Sequence, residues 1–275
     1  MNNTELEQLQ KLCKKIRREV LQMIYTAKSG HPGGNLSAVE IITTVFKRCM
    51  KHYPDWDSNP DFKNRDRFIL SKGHASATLY AVMAECGYFP EAELNTFRQL
   101  GSKLQGHPSC RFLKGIEVST GSLGQGLSMA NGTAMALKID KNPANVFVFI
   151  GDGELQEGNI WEAIMSAAHY NLNNLIAFVD YNGLQIDGPT CNIMNLGDLS
   201  KKFDSFGWAV INIDGHNIEE IDNAVKIAKT INQPIVIIAK TVKGKGVSFM
   251  ENQIGWHGKA PKKEEYELAM KELED

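Results

Sequence analysis

Three short segments of this 275-residue chain are apolar almost throughout, and they restrict its possible folds more than any other feature. They are residues 146–150, 175–179 and 234–239. A strand with one face in water would alternate apolar and polar residues, and a membrane-spanning helix would need about 20 apolar residues. The three segments therefore predict strands that are buried on both faces, as in a parallel sheet.

Helical and extended patterns alternate along the chain. Two further strands are expected at residues 67–70 and 208–213. Helical spacing of apolar residues is found at residues 6–28, 37–50, 75–86, 123–138, 160–170 and 218–230. This order predicts an α/β fold, with a doubly wound, mostly parallel sheet and helices on both faces. We expect residues 1–275 to form a single domain that ends in a solvated helix at 262–275.

Charge and composition narrow the range of ligands. The net charge of −2 provides no overall attraction for nucleic acid, so we expect a small-molecule ligand and no nucleic-acid partner.

Residues 1–15 lack the apolar core of a signal peptide, and no apolar run is long enough to cross a membrane. We therefore expect a cytoplasmic protein. Its five cysteines are scattered, which favours reduced thiols without a catalytic or metal-binding role.

An acidic, glycine-rich turn follows the first buried strand. Residues 151–158 read GDGELQEG, and a helical pattern begins near Asn159. The glycines permit close approach of a ligand, and the helix start offers N–H groups to phosphate oxygens. Asp152 would repel a phosphate unless a divalent cation lay between them. An isolated Gly-Asp-Gly triplet, however, is more often a simple tight turn.

A second polar turn follows the next buried strand, at residues 180–188. If the two strands are neighbours joined by the helix at 160–170, both turns lie at the same edge of the sheet, where ligands bind in such folds. Asn182 and a nearby backbone carbonyl would then complete an oxygen shell that begins with Asp152. The two turns together predict a site for Mg²⁺ or Ca²⁺ with a phosphate ligand.

With these residues the chain resembles the thiamine diphosphate enzymes, whose cofactor motif begins with Gly-Asp-Gly and ends with Asn. Six segments occur in the order seen in the amino-terminal part of transketolases. They are SGHPG at 29–33, LSKGHA at 70–75, GHP at 106–108, GSLGQG at 121–126, GDGELQEG at 151–158 and HGKAP at 257–261. The resemblance extends over nearly the whole chain and implies the thiamine diphosphate-binding fold.

The resemblance assigns cofactor roles to residues of these motifs. Asp152 and Asn182 would bind the metal through their side chains, and Leu184 would bind it through its backbone carbonyl. The N–H of Gly153 would approach a phosphate of the cofactor.

Two apolar residues of the motifs, Leu123 and Ile186, match positions that pack against the thiazolium ring. Gly121 belongs to the same cofactor-binding motif as Leu123. Without the motifs, both apolar side chains would be equally well explained as core residues.

Four of the seven histidines lie in these motifs, and the resemblance places them along a substrate channel. His74 and His107 would contact oxygens of the donor sugar, while His31 and His257 would transfer protons. His74 and His257 would also lie against the cofactor. A histidine can donate to a sugar oxygen or exchange a proton near neutral pH. The remaining three, His52, His169 and His216, are interpreted as structural.

Two charged positions have alternative interpretations. Glu157 can complement the dipole of the helix that follows it, or, as the resemblance implies, act at an interface near a partner's catalytic glutamate. The basic segment 243–246 can flank the cofactor mouth or form a solvated loop. The sequence departs from the family pattern at two places. Ser122 replaces a proline found in many members, which bears on the rigidity of that loop, and Gly33-Gly34-Asn35 replaces Gly-Ala-Pro, which bears on the contacts near His31.

The chain lacks a recognisable second domain. In transketolases that domain supplies the glutamate that activates the cofactor and the basic residues that hold a sugar phosphate. The hypothesis is therefore an amino-terminal subunit of a split transketolase, which transfers a two-carbon ketol unit between sugars through a cofactor carbanion. The expected sugars are sugar phosphates of the pentose phosphate pathway. The chain would require a separate carboxy-terminal subunit in a hetero-oligomer, with two copies of each chain.

Three other functions are compatible with the motifs. The first two are a fragment of a deoxyxylulose-phosphate synthase and the α chain of a 2-oxo acid dehydrogenase. The third is a cofactor-binding module without catalytic activity. The segment 154–158 and the paired motifs of His74 and His107 favour transketolase over the first two. The intact set of four motif histidines argues against the third, because a module that only binds the cofactor would not need a substrate channel.

Overall fold

A five-stranded parallel sheet forms the centre of the protein, and the computed structural model describes residues 1–274 without the side chain of Asp57. The protein has seven strands, five of which form this sheet: β1 (Arg67–Leu70), β2 (Val146–Gly151), β3 (Leu175–Tyr181), β4 (Leu184–Gln185), β5 (Gly188–Pro189), β6 (Ala209–Asp214) and β7 (Ile235–Lys240), within the described residues. The sheet order is β1-β2-β3-β7-β6, and every neighbouring pair is parallel. Strands β4 and β5 form a small antiparallel hairpin outside this sheet.

Helices cover both faces of the sheet. They are α1 (Asn3–Ala27), α2 (Pro32–Leu36), α3 (Val39–Thr44), α4 (Ser76–Glu85), α5 (Gln125–Ile139), α6 (Gly158–His169), α7 (Thr190–Ile193), α8 (Leu199–Ser205), α9 (Ile218–Ala228) and α10 (Lys263–Glu272). One turn of π-helix, Val45–Cys49, continues α3. Helix α6 connects the neighbouring strands β2 and β3, and α9 connects β6 and β7.

The uninterrupted apolar strands are explained by two separate cores. Phe147 and Phe149 of β2 pack into the core formed with α1, α3, α4 and α9. Val148 and Ile150 of the same strand pack on the opposite face, against α5, α6 and α8. All four side chains are fully buried. Each contributes about 2 kcal/mol of burial free energy, so a polar residue on either face would be costly.

The predicted fold class and all five predicted sheet strands are confirmed. The expected helix at 123–138 begins later, at Gln125, because Gly124 has a φ of 86° that interrupts the helical backbone. The expected helix at 37–50 is divided into α3 and the π-turn. The short elements α2, α7, α8 and the β4–β5 hairpin were not predicted, since segments of two to seven residues give little periodic signal.

The expected terminal helix at 262–275 is present as α10, and Asp275 lies outside the described residues. None of the helices within residues 1–274 is both long and apolar enough to cross a membrane. The five cysteines are free thiols; Cys13 and Cys49 are buried, whereas Cys110 and Cys191 are exposed.

Candidate functional site

The two predicted turns meet at the carboxyl edge of the sheet. Strand β2 ends at Gly151 and β3 ends at Tyr181, and because the strands are parallel neighbours, the residues that follow lie side by side. Asp152 is buried, and its Oδ2 accepts a hydrogen bond from the N–H of Gly183 at 2.6 Å. Its Oδ1 accepts the N–H of Gly153 at 2.7 Å. Asp152 therefore joins the two turns directly.

The three predicted metal ligands line one cavity of about 220 Å³. They are a carboxylate (Asp152), a side-chain amide (Asn182) and a backbone carbonyl (Leu184). Asn182 Oδ1 accepts the N–H of Leu184 at 3.1 Å, which restrains the amide. The Leu184 carbonyl oxygen accepts a hydrogen bond from Lys243 Nζ, with 3.1 Å between the two atoms. Oxygen donors of these kinds fit a hard divalent cation such as Mg²⁺ or Ca²⁺.

The electrostatics of Asp152 also fit a cation. Burial, together with the nearby Asp180 carboxylate, raises the pKa of Asp152 to about 6. Among the described residues, the hydrogen bonds to Asp152 come from the backbone N–H groups of Gly153 and Gly183, and no Lys or Arg side chain forms an ion pair with it. A divalent cation bound here would compensate the charge of this buried carboxylate.

A buried ion pair lies directly behind this turn. Lys72, which follows β1, donates to the carboxylate of Asp180 in β3, and both side chains are inaccessible to solvent. Burial by itself would raise the pKa of Asp180, but Lys72 and the hydroxyls of Ser37 and Thr241 hold it below its ordinary value. Lys72 also donates to the Gly34 carbonyl at 2.9 Å.

Neither member of this pair was predicted as a site residue. A signal was available, because Lys72 lies within the LSKGHA motif and Asp180 ends an otherwise apolar strand. Such buried charges are rare unless they are paired.

The four motif histidines converge from four different loops. The ring of His31 lies 5.4 Å from that of His74, 6.3 Å from that of His107 and 5.6 Å from that of His257, between centroids. His74 and His257 are 5.4 Å apart and line the cavity with the metal ligands. The close contact depends on Gly34, where a Cβ atom would lie 3.1 Å from His74 Nε2.

These histidines are held neutral at pH 7. Burial and Arg98 lower the pKa of His31 to about 4, while burial and Lys243 lower that of His257 to about 3. Burial also lowers the pKa of His74, and that of His107 to a lesser degree. A neutral imidazole carries one N–H donor and one acceptor, so this cluster can hydrogen-bond to hydroxyl and carbonyl groups of a ligand.

Lys243 is the cation closest to the predicted metal ligands. Its buried Nζ lies 3.1 Å from the Leu184 carbonyl and 2.9 Å from His257 Nδ1. Burial, with the repulsion of Lys72, lowers the pKa of Lys243 to about 8. The basic segment 243–246 thus places Lys243 inside the cavity, whereas Lys245 pairs with Glu251 outside it. A lysine buried in this way is suited to bind an anionic group.

His216 has a structural position behind the same loop. Its Nε2 accepts the N–H of Val242 at 2.8 Å, and its Nδ1 lies 2.9 Å from Glu40, which is paired with Arg17. This network connects the loop that carries Lys243 to helices α1 and α3.

Two apolar side chains flank the cavity while remaining accessible to solvent. Ile186 is 65% exposed and Leu123 is 37% exposed, which excludes the interpretation of either as a core residue. Their positions are compatible with packing against an apolar ring of a ligand. Gly121 lies against His107, where a Cβ atom would approach the imidazole ring to 3.1 Å.

Two acidic residues follow Gly153. Glu157 is exposed at the N-cap of α6 and makes no side-chain capping hydrogen bond, although it lines the cavity. Glu154, which was not predicted, is buried and accepts hydrogen bonds from the hydroxyl of Ser71 and the backbone N–H groups of Gly124 and Gly151. Glu154 therefore connects the motif turns at 70–75, 121–126 and 151–158 to one another.

A larger cavity of about 780 Å³ opens beside the carboxyl ends of β6 and β7. Its lining contains none of the predicted site residues in the described chain. Volume alone therefore does not indicate the reactive site, and the smaller cavity contains the converging ligands, cation and histidines.

Comparison with known proteins gives three consistent matches. The family model described as "Transketolase, thiamine diphosphate binding domain" matches residues 8–274. The 6-deoxy-6-sulfo-D-fructose transketolase subunit SqwG of Clostridium sp. (strain MSTE9) is 44% identical over 97% of this chain and 96% of its own length. One of the subunits of the apulose-4-phosphate transketolase of Phocaeicola vulgatus is 39% identical over 98% and 95%, respectively.

A solved structure shares both fold and sequence with the chain. The transketolase of Campylobacter jejuni superposes with a TM-score of 0.91 and 36% identity, over 99% of this chain. The chain covers 43% of that protein, and so corresponds to less than half of it.

Proposed function

This chain belongs to the transketolase family, and from that membership we propose that it is the amino-terminal subunit of a transketolase assembled from two different polypeptides. In this proposal it transfers a two-carbon ketol unit between sugars with thiamine diphosphate as cofactor. The observation that supports it best is the convergence of the Asp152–Gly183 junction, Lys243 and the histidine cluster on one edge of the sheet.

The diphosphate end of the cofactor fits the polar side of the cavity. Asp152, Asn182 and the Leu184 carbonyl would hold Mg²⁺ or Ca²⁺, and Lys243 would add a positive charge on the side of His257. Cation and lysine together would neutralise the phosphate oxygens. When bound, thiamine diphosphate supplies the nucleophilic carbon and the electron sink of the reaction.

The remaining residues would orient the reactants. Leu123 and Ile186 would pack against the thiazolium ring, and the rings of His74 and His257 would lie against the cofactor. The N–H of Gly153 donates to Asp152 Oδ1, so it would have to leave that carboxylate to approach a phosphate. His74 and His107 would bind donor oxygens, while His31 and His257 would hold or move protons during ketol transfer. Because the histidines are neutral at pH 7, they can donate hydrogen bonds to sugar oxygens without adding positive charge to the cavity.

A second polypeptide is part of the proposal. The two relatives from split enzymes match this chain along almost their entire length, whereas the chain covers 43% of the Campylobacter transketolase. Glu157, Leu123 and Ile186 are exposed at the cavity mouth, where a carboxy-terminal subunit would cover them. That subunit would bring the glutamate that activates the cofactor and the groups that bind the sugar's anionic end.

The proposed substrates are sugars with an anionic terminus. One relative is named for 6-deoxy-6-sulfo-D-fructose and another for apulose-4-phosphate. Both names describe a sugar that carries an anionic group. We therefore place sugar phosphates first among the candidate substrates and sulfosugars second.

Native mass spectrometry of the chain purified from its own source tests this proposal. We expect a second polypeptide, thiamine diphosphate and a divalent ion to accompany it in a hetero-oligomer, with two copies of each chain. The recovered complex would then be assayed for ketol transfer and for pyruvate-dependent synthase or dehydrogenase activity. A chain that recruits no partner, and fails to bind added thiamine diphosphate and Mg²⁺, would contradict the proposal.

Three further features complete the proposal: a single-domain organisation of the chain, a cytoplasmic location and a role in sugar phosphate metabolism such as the pentose phosphate pathway. The one continuous parallel sheet and the five free cysteines support the first two. Fractionation of the source cells, with the chain detected by antibody, tests the location.

A further inference from the structure

Arg98 joins two of the histidine-bearing segments although it lies in neither motif. One terminal nitrogen of its guanidinium donates to Ser29 Oγ at 2.7 Å. The other lies 3.2 Å from His31 Nδ1 and 3.4 Å from the carbonyl of Gly106, the residue before His107. Arg98 therefore connects the His31 segment to the His107 segment from outside the cofactor cavity.

In the hydrogen bond between Arg98 and His31, Arg98 must be the donor. A guanidinium has five N–H donors and no acceptor, so His31 Nδ1 must present its lone pair to Arg98. The ring can then carry its hydrogen only on Nε2 if it is neutral. The other groups that face His31 are His74, His107 and His257, with Lys72 and Lys243 further away.

The position of Arg98 is fixed by its surroundings. Its backbone has a φ of 58°, in the left-handed region that costs a non-glycine residue about 1 kcal/mol. The guanidinium packs on Gly106, where a Cβ atom would lie 3.0 Å from Arg98 Nε. Its backbone N–H donates to the Leu104 carbonyl at 2.9 Å. The loop thus supports an unfavourable backbone conformation that directs the guanidinium to His31.

We propose that Arg98 is a positioning residue that fixes His31 as the neutral tautomer with its hydrogen on Nε2, so that His31 serves as a hydrogen-bond donor to a substrate oxygen. The tautomer follows from the structure alone, whereas its use on a substrate oxygen rests on the function proposed above. A neutral imidazole can polarise a carbonyl in this way without becoming an acid. The lowered pKa of His31 is consistent with this assignment.

This assignment narrows the role of His31. With Nδ1 engaged by Arg98, the ring has no free lone pair, so it can donate a hydrogen bond but cannot accept a proton while the contact persists. The contact of Lys243 with His257 Nδ1 imposes the same restriction on His257, because a lysine ammonium also has no acceptor. Arg98 itself would not touch the substrate.

Nitrogen NMR of the full chain labelled with ¹⁵N-histidine tests the tautomer directly. Long-range proton–nitrogen correlations distinguish protonated from unprotonated ring nitrogens, and His31→Gln identifies the His31 signals by difference. We expect unprotonated Nδ1 and protonated Nε2 at pH 7. A hydrogen on Nδ1 in the wild-type chain would overturn the proposal, whatever the function proves to be.

Two variants then assign the effect to Arg98. Arg98→Met removes the donors at similar length and should give a mixture of the two His31 tautomers, whereas Arg98→Lys retains a donor and should preserve the wild-type tautomer. Arg111→Met, at an exposed arginine beside Phe112, is the matched control and should change nothing. An unchanged His31 tautomer in a folded Arg98→Met chain would contradict the role of Arg98.

In the complex with its partner, the proposal predicts a separation of kinetic effects. Arg98→Met should lower kcat/KM for the sugar about tenfold while leaving the dissociation constant of thiamine diphosphate unchanged, and Arg98→Lys should restore most of the loss. If Arg98→Met and Arg98→Lys had equal kcat/KM, the proposed use of His31 on a substrate oxygen would be contradicted. If the wild-type complex has no ketol-transfer activity, the proposed function fails and the NMR result still decides the tautomer.

Discussion

The Nζ atom of Lys243 lies 2.9 Å from His257 Nδ1, and it also donates to the Leu184 carbonyl. Lys243 therefore connects the two halves of the site, the oxygen ligands at the turns of β2 and β3 and the histidine cluster. A buried lysine at this position is compatible with an anionic ligand that would restore its full charge.

Replacing Lys243 tests the anion site. Lys243→Met should raise the dissociation constant of thiamine diphosphate, with Mg²⁺ present, by about 10- to 100-fold, because a charge-assisted hydrogen bond contributes about 1.5–3 kcal/mol. Isothermal titration calorimetry measures this change. Lys245→Met, in the same loop but paired with Glu251, should leave the affinity unchanged; equal effects in both variants would indicate a non-specific charge contribution.

Asp152 should be required for the cation but not for folding. Asp152→Asn should abolish the dependence of cofactor binding on Mg²⁺ and weaken binding at least 100-fold, about 3 kcal/mol. Without cation or cofactor, the variant should lose little stability: the amide gives up one of the two backbone hydrogen bonds, but it also removes a buried carboxylate whose pKa is raised. Calorimetry and thermal unfolding give the two readouts, and tight Mg²⁺-dependent binding in the variant would disprove the assigned ligand.

The buried pair Lys72–Asp180 predicts a strongly non-additive double mutant. Lys72→Met should lower the free energy of unfolding by about 3–5 kcal/mol, because it leaves a buried carboxylate without its cation. Adding Asp180→Asn should recover most of this loss. Urea denaturation of the single and double variants measures the effect, and Lys201→Met, which breaks the exposed pair with Asp198, is the control expected to leave the midpoint unchanged. Additive losses would contradict the coupling.

The neutral histidines predict loss of stability in mild acid. The pKa of His31 is about 4 and that of His257 about 3 in the folded chain, against about 6.5 for an unfolded histidine. As the pH falls below 6.5, the unfolded chain binds protons that the folded chain does not, and the unfolded state is favoured. Each histidine should contribute a slope of at most about 1.4 kcal/mol per pH unit.

Urea denaturation at intervals from pH 6.5 to pH 5 measures that slope. His257→Asn should reduce it, since one proton-binding difference between the two states is removed. The comparison with the wild type is needed because Asp152, whose pKa is raised to about 6, and Glu19, whose pKa is raised to about 7, titrate in this range with the opposite sign. An unchanged slope in His257→Asn would show that His257 is not held neutral.

Helix α5 offers a test of assembly with the partner. Its residues 125–137 are uncharged, although the helix has a solvent-exposed face that includes Met129. An exposed helix face normally carries charges, so we expect the partner subunit to cover this one. Met129→Glu should weaken assembly at least tenfold in analytical ultracentrifugation. Ile227→Glu, at an exposed apolar residue of α9 on the other face of the sheet, should have no effect.

The sequence by itself determined the fold class and most of the site. Segments 146–150, 175–179 and 234–239 could be recognised because burial on both faces requires apolar residues at every position. Once the strands were placed, chain order brought Asp152 and Asn182 to the same edge of the sheet, since parallel neighbours end together. The four motif histidines were identified by their motifs, although only His74 and His257 line the cavity with the metal ligands.

Only the tertiary structure decided which charges support that site. Lys72 reaches Asp180 across more than a hundred residues of sequence, Glu154 joins three separate turns, and Arg98 meets His31 from a loop with no motif. The sequence marks Lys72 and Asp180 as unusual positions, but a local pattern does not show which distant residue pairs with a buried charge. Whether a carboxylate or an ammonium is buried and paired depends on contacts between distant segments, and these exist only in the folded chain.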